Sequence, residues 1–296
     1  MVLCALWLPG HPAVAAEVAI LKSSDLAAYA SAVAGFRAEL GGNGTIVQEH
    51  DLQGDLDEGR KAARRIRASD TTLVLAVGTK AALAAKLELV DTPVIYCLVL
   101  DPDKHDLSAP NMSGISLDIS MADHLHAMRA LFPKLKRIGI LFDPAKTERL
   151  VRDGEREGKH QGIEIVAAPV SAERDVPTTL RTLLPTVDVL WLLPDTTVLT
   201  EDSLAFILQE SLEANRPVVG FSAEFVKRGA LMSISADYYD IGRQAARLSR
   251  RILGHQASPP LRLSPDRIHI AVNYKTARFL GIEIPPDLDK RVDERY

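Results

Sequence analysis

The chain has 296 residues, of which 47% are hydrophobic and 25% charged, and its formal net charge is −4. This length is typical of about two domains, the composition excludes a largely disordered chain, and the acidic excess argues against a coat for nucleic acid or an anionic membrane. Two cysteines cannot build a zinc cluster or a disulfide framework, and 5% aromatic residues disfavour a stacking platform for single-stranded nucleic acid.

Residues 1–16 have the pattern of a secretory leader. An apolar run over residues 2–8 is followed by a Pro/Gly turn and by the A-x-A pattern of residues 13–16, as in a leader before its cleavage point. The run is shorter than the roughly 20 residues that span a bilayer. No Lys or Arg precedes it, so a buried first strand is the alternative interpretation.

The next part of the chain alternates apolar strands with helices. A strand over residues 17–21 precedes a helix in which Tyr29, Val33, Phe36 and Leu40 recur at helical spacing. Further strands are expected at residues 45–48, 72–77 and 94–100, with helices at 56–68 and after the Gly78-Thr79-Lys80 turn.

The same pattern then recurs further along the chain. Strands are expected at residues 137–141, 162–167, 187–193 and 218–221, with helices after Asp143 and at 176–184 and 203–214. Corresponding points are Leu21 and Leu141, Val77 and Leu193, and Pro93 and Pro217, at offsets of 120, 116 and 124 residues. A near-constant offset over six elements indicates a repeated unit.

The apolar runs do not alternate, which is typical of a parallel sheet buried on both faces. Further strands at residues 230–234 and 267–272, with a helix at 240–253 between them, suggest that the chain returns to each half in turn. We therefore predict an α/β protein of two doubly wound parallel-sheet lobes, joined by several hinge crossings around a ligand-binding cleft. The predicted lobes are residues 17–118 plus 230–256, and residues 119–229 plus 257–296.

Ligands of open parallel sheets bind beyond the carboxyl ends of the strands, where helix N-termini point. The turn at Gly78 and Thr79 offers backbone N–H groups and a hydroxyl that suit a carboxylate, and Asp195 suits an ammonium group. The alternative is that such residues only form turns and helix caps, and that Tyr238 packs in the core. The candidate ligand-binding residues are Ser24, Tyr29, Gly78, Thr79, Lys80, Asp101, Phe142, Asp195, Thr196, Ser222 and Tyr238.

Catalytic and cofactor motifs are missing from the sequence. Gly78-Thr79-Lys80 lacks the upstream glycine of a phosphate-binding loop, and neither G-x-G-x-x-G nor G-x-S-x-G occurs. His124 and His126 lie two apart on a predicted helix and face different ways. His105 among Asp101, Asp103 and Asp106 is more simply a solvated loop than a metal site. We expect no catalytic residue, no metal and no cofactor.

A resemblance to a known family is carried by four segments: residues 77–86, 194–198, 236–245 and 272–277. They resemble the ABC-transporter substrate-binding proteins of the tryptophan/tyrosine type, which have the type I periplasmic binding-protein fold, and the likeness covers nearly the whole chain after Ala16. The resemblance implies that Gly78-Thr79-Lys80 holds the carboxylate of an amino-acid-like ligand, with Asp195 opposite on the second lobe. The charged residues 103–106 depart from the smaller, apolar residues usual in the family, which leaves the ligand open.

Together these patterns predict a non-catalytic, periplasmic or otherwise exported solute-binding protein. It would be a monomer, bind an amino acid or related carboxylate, deliver it to ABC permease subunits and have no nucleic-acid partner. The alternative is a sensory module that passes its closure to a histidine kinase or another membrane receptor. A sugar-repressor-type regulator is set aside, because only a short apolar stretch precedes the first strand.

Overall fold

The computed structural model describes residues 16–41, 44–100 and 102–296. These residues form two compact units: the described residues up to Asp118 with Tyr238–Asp266, and Ile119–Asp237 with Arg267–Tyr296. The expected leader falls outside the described residues except for Ala16, which begins the first strand. Among the described helices, none is both long and apolar enough to cross a membrane.

The first unit is built on a six-stranded sheet. Its elements are β1 (Ala16–Lys22), α1 (Ala27–Leu40), β2 (Gly44–Asp51), α2 (Leu56–Arg67), β3 (Leu73–Val77), α3 (Thr79–Glu88), β4 (Val94–Val99), β5 (Met112–Ser116), α9 (Tyr238–Leu253) and β11 (Arg262–Leu263). The strands lie in the order β11-β5-β4-β3-β1-β2, and all neighbouring strands pair in parallel. Every residue of the two central strands is buried, because helices cover both faces of the sheet.

The second unit is built on a seven-stranded sheet. Its elements are α4 (Met121–Leu131), β6 (Arg137–Phe142), α5 (Pro144–Gln161), β7 (Glu164–Pro169), α6 (Val176–Leu183), β8 (Val189–Trp191), α7 (Glu201–Glu213), β9 (Val218–Gly220), α8 (Ala223–Lys227), β10 (Met232–Ala236), β12 (Ile268–Val272), α10 (Tyr274–Phe279), α11 (Pro286–Asp289) and β13 (Glu294–Arg295). The strands lie in the order β13-β12-β10-β9-β8-β6-β7, in which β10 and β12 pair antiparallel and the other pairs are parallel. Two single turns of 3₁₀ helix, Glu173–Asp175 and Leu184–Thr186, flank α6.

The returns of the chain between the units differ from the sequence prediction. Residues 230–237, expected in the first lobe, belong to the second unit, because β10 pairs with both β9 and β12. Residues 257–266, expected in the second lobe, belong to the first unit, because β11 adds to the edge of β5. The chain therefore crosses after Asp118, Asp237 and Asp266.

Helices α1 and α9 of the first unit touch through two glycines. A Cβ atom at Gly35 would lie 1.9 Å from the carbonyl oxygen of Tyr239, and one at Gly242 would lie 1.9 Å from that of Ala32. Backbone atoms cannot swing aside as a side-chain end can. The two helices can approach this closely only because neither position carries a side chain.

Replacing Gly242 by alanine should therefore destabilise the first unit. The added methyl group forces α1 and α9 apart, and overpacking of this kind costs about 1–3 kcal/mol. Urea unfolding measures the loss. The matched control is Gly154→Ala in α5, where the nearest atom to an added Cβ is 3.6 Å away on Trp191. Alanine fits there and forms helices better than glycine, so this substitution should be neutral or slightly stabilising. Equal stability of both variants would contradict this account of the helix contact.

Candidate functional site

The carboxyl edge of the first sheet brings several hydrogen-bond donors together at the start of α3. Gly78 directly follows β3 and is the N-cap of α3 with φ 87° and ψ 168°, and Thr79 begins the helix. Ser23, at the end of the neighbouring β1, accepts a hydrogen bond from the backbone N–H of Ala81 at 2.9 Å. The first N–H groups of a helix have no partner within the helix, and here one of them is bonded by a residue that follows a different strand. The backbone N–H groups of Thr79 and Lys80 have no acceptor among the described residues.

The Thr79 hydroxyl of this turn is also available. Thr79 and the predicted residue Ser24 are half-buried, and neither hydroxyl forms a hydrogen bond to the described part of the chain. Lys80 is exposed, but its ammonium donates to the backbone carbonyl of Gly54. Two amides and the Thr79 hydroxyl at a helix N-terminus make a set of donors that suits an anion.

Tyr29 lies directly against Gly78. It stands on the first turn of α1, and a Cβ atom at Gly78 would lie 2.6 Å from its hydroxyl oxygen and 2.7 Å from the Ser23 hydroxyl. Burial, and then the nearby Cys97 thiol, raise the pKa of Tyr29 above its usual value. Burial also raises the pKa of Cys97 to about 12. Both groups therefore stay protonated at neutral pH.

Two exposed leucines lie in the loops that follow β1 and β4. Leu26, which precedes α1, is 52% exposed, and Leu100, which follows β4, is 62% exposed. Exposed leucines in this position can contact an apolar portion of a ligand. Asp101, the next predicted residue, lies outside the described residues. Tyr238 begins α9 and is 38% exposed, but no described contact joins it to the Gly78 turn.

Lys22, at the end of β1, was not among the predicted site residues. Its side chain is only 13% exposed, and its ammonium lies 3.5–3.7 Å from carboxylate oxygens of Asp25, Glu49 and Asp51. Burial lowers the pKa of Lys22, but the three carboxylates outweigh this effect and raise it. A lysine that directly follows the apolar residues 18–21 is the signal that could have identified it.

In the second unit Asp195 is the centre of a hydrogen-bond network. It is 2% exposed. One carboxylate oxygen accepts from the N–H of Asp143 at 2.7 Å and the hydroxyl of Thr147 at 2.6 Å, and the other accepts from the N–H groups of Thr197 and Val198. The expected role of Asp195 as partner of an ammonium group stays a prediction. What the network does is fasten the loop after β8 to the start of α5.

Asp143 belongs to the same network. Its carboxylate accepts from the Thr197 hydroxyl at 2.7 Å and caps α5 through the N–H of Ala145 at 2.9 Å. These two bonds, with a smaller effect of the Lys146 ammonium, hold the pKa of Asp143 below its usual value. Lys146 also donates to the hydroxyl of the predicted residue Thr196 at 2.8 Å.

The other two predicted residues of the second unit, Phe142 and Ser222, make contacts within that unit. Phe142 is 8% exposed and packs in the same apolar cluster as Ile138 and Ile140. Ser222 caps the short helix α8 by accepting from the N–H of Glu224 at 3.3 Å. Within the described residues, no group of three or more His, Cys, Asp or Glu side chains could hold a metal ion.

Comparisons with known proteins decide the family. The family model of ABC transporter substrate binding proteins matches residues 18–295. The chain belongs to this family. It is 24% identical over 251 residues to a tyrosine-binding protein of Clostridioides difficile, a match that covers 82% of this chain and 72% of that protein.

Solved structures agree on the fold of this family member. A ligand-free, open substrate-binding protein with adhesive properties from Clostridium difficile matches with a TM-score of 0.82 and 21% identity, over 95% of this chain and 99% of that one. An ABC domain from Streptococcus pneumoniae in complex with L-Trp matches with a TM-score of 0.58 and 20% identity, over 94% and 100%. A leucine-binding protein of Thermotoga maritima matches with a TM-score of 0.51 and 12% identity, over 82% and 84%. The fold is that of the type I periplasmic binding proteins, as the sequence predicted.

Proposed function

We propose that this protein is the non-catalytic, exported ligand-binding component of an ABC uptake system, and that its ligand is a small amino acid, aromatic in the first instance, or a related carboxylate. Membership of the substrate-binding family is the observation that carries the proposal. The tyrosine-binding relative and the L-Trp complex support the aromatic class.

The chemistry of the first unit supports a carboxylate as the group that is bound. The N–H groups of Thr79 and Lys80 and the Thr79 hydroxyl are donors that find no acceptor among the residues the structure describes. A helix N-terminus contributes about 0.3–1 kcal/mol to each favourable anionic contact. An affinity near 1 μM corresponds to about 8 kcal/mol, so the apolar contacts of Leu26 and Leu100 would have to contribute as well.

Export and partnership with a permease are further parts of the proposal. Genes for a permease and an ATPase next to the gene of this protein would support uptake, whereas a neighbouring histidine kinase gene would support a sensor. Fractionation of cells and size-exclusion chromatography of the purified protein test export and the monomeric state. A cytoplasmic protein or a stable dimer would contradict these two parts.

Thr79→Ala is the variant that tests the binding site. The loss of one hydroxyl that donates to a carboxylate costs about 1.5–3 kcal/mol, so affinity for the bound amino acid should fall by roughly 10- to 100-fold. Isothermal titration calorimetry with L-tyrosine and L-tryptophan measures the change.

The matched control is Thr72→Ala, because Thr72 directly precedes β3 and so lies at the other end of that strand from Thr79. The Thr72 hydroxyl donates to the carbonyl of Glu17 at 3.0 Å, far from the strand's carboxyl end, so its removal should leave affinity unchanged. Unaltered affinity of Thr79→Ala would remove the Gly78 turn from the binding site.

A further inference from the structure

A buried side-chain amide holds the chain just before its third crossing between the units. Gln244, on α9, is 5% exposed. Its NH₂ group donates to the carbonyl of Ser264 at 2.9 Å and to a carboxylate oxygen of Asp266 at 3.0 Å, and its oxygen accepts from the N–H of Asp266 at 3.2 Å. Residues 264–267 form neither helix nor strand. The three bonds therefore fix a segment whose backbone has no regular structure to order it.

Helix α9 thereby joins two crossings on the side of the first unit. It begins at Tyr238, directly after the second crossing at Asp237, and Gln244 lies on its second turn. Near the next turn, Arg247 donates to the other carboxylate oxygen of Asp266 at 2.8 Å. The helix that follows the second crossing thus holds the last residue before the third crossing.

The second unit ties the same two crossings together. Strand β10 ends at one crossing and β12 begins after the other, and the two strands pair antiparallel over their full length. Next to them, the N–H of Asp237 donates to the carbonyl of Arg267 at 3.5 Å, and the Arg267 guanidinium lies 3.6 Å from the Asp237 carboxylate. What is left to absorb a turn of one unit against the other is the backbone from Asp237 to Tyr238 and from Asp266 to Arg267.

We propose that Gln244 is a positioning residue for ligand binding, because it makes the second and third crossings turn together as one paired hinge. The inference rests on the proposed function and on the predicted closure of the two units around a ligand. Hinge closure is absorbed by a few loop or element-terminal residues between rigid parts. Without the bonds of Gln244, residues 264–266 would move in the ligand-free protein, and binding would have to order them at an entropic cost.

Gln244→Met tests the inference on the full-length protein, since methionine is similar in length and has no N–H group to donate. Calorimetry well below the thermal midpoint should show that affinity for L-tyrosine falls about tenfold, because ordering the backbone of even one residue costs about that much. Hydrogen–deuterium exchange gives the second readout. Exchange in residues 264–267 should be slow in the wild type with or without L-tyrosine, and in the variant fast without L-tyrosine and slow with it.

Ile252→Val is the matched control, because Ile252 is buried in the last turn of the same helix. The substitution lowers stability through the loss of one buried carbon and leaves the bonds of Gln244 in place, so affinity should match the wild type.

Three results would overturn the inference alone. They are unchanged affinity of Gln244→Met, unchanged exchange of residues 264–267 in that variant, and an equal loss of affinity in Ile252→Val, which would indicate general destabilisation. If the wild-type protein binds neither L-tyrosine nor L-tryptophan, the proposed function fails for aromatic amino acids, and the positioning role fails with it.

Discussion

Asp195→Asn should lower the free energy of unfolding of the second unit by about 3 kcal/mol or more. Each carboxylate oxygen of Asp195 accepts two hydrogen bonds from buried or half-buried donors. An asparagine keeps one of the two acceptors and turns the other into an NH₂ group that faces two donors. Two donors lose their charged acceptor, and each such loss costs about 1.5–3 kcal/mol.

A second aspartate provides the control for this substitution. Asp188 precedes β8 and is exposed, and a single oxygen accepts from the N–H groups of both Lys136 and Arg137, at 2.9 and 2.8 Å. The amide oxygen of Asp188→Asn can keep both bonds, so its loss should stay below about 1 kcal/mol. Urea unfolding compares the two variants. Similar losses would show that the Asp195 network contributes no more than a surface cap.

The second large effect is a dependence of stability on pH that arises from His124. Its ring packs on Trp191 with the centroids 5.2 Å apart, and its Nδ1 atom is buried with no hydrogen-bond partner in the described structure. Burial disfavours the imidazolium and lowers the pKa of His124 from 6.5 to about 4, with a smaller opposing effect of Asp123.

The direction follows from proton binding. The unfolded chain protonates His124 below about pH 6.5, whereas the folded chain does so only below about pH 4. The fold therefore has its full stability above pH 6.5, where the imidazole is neutral in both the folded and the unfolded chain. This stability is lost as the pH falls from 6.5 to 4, because only the unfolded chain then binds a proton at His124. A shift of this size corresponds to about 3 kcal/mol in total.

His124→Phe removes the titrating group and keeps a ring on Trp191. The difference in unfolding free energy between this variant and the wild type should change by about 3 kcal/mol between pH 7 and pH 4, in favour of the variant at low pH. His126→Phe is the control, since His126 is exposed on the same helix. Parallel pH profiles for His124→Phe and the wild type would show that the imidazole is not desolvated in the fold.

The parts of the fold that the sequence predicted are those with long apolar runs. Strands β3 and β4 are buried along their whole length, so their composition alone marks a sheet covered on both faces. Short strands lack such a signal. β11 has two residues, and which sheet it joins depends on pairing with β5, far away in the chain. Such pairing depends on long-range contacts and leaves no local pattern in the sequence, which explains why the return segments were assigned to the wrong lobes.

The site shows the same division. The Gly78 turn was predictable, because a glycine and a hydroxyl residue between an apolar strand and a helix have a local meaning. The hydrogen bonds of Asp195 were not predictable, because two of its donors lie about fifty residues earlier in the chain. Phe142 was chosen from its place at a strand end, and its role in ligand binding stays a prediction. Alternate residues of a strand point to the same face of the sheet. Phe142 therefore shares one apolar cluster with Ile138 and Ile140, whereas Leu141 lies in another.

A crystal structure of the full-length protein grown with L-tyrosine or L-tryptophan tests the central claim most directly. We expect the ligand carboxylate within 2.7–3.2 Å, the usual range for N–H···O bonds, of the Thr79 and Lys80 backbone nitrogens, with the Thr79 hydroxyl also bonded to it. A ligand bound with its carboxylate elsewhere, and the Gly78 turn in contact with solvent alone, would contradict the account.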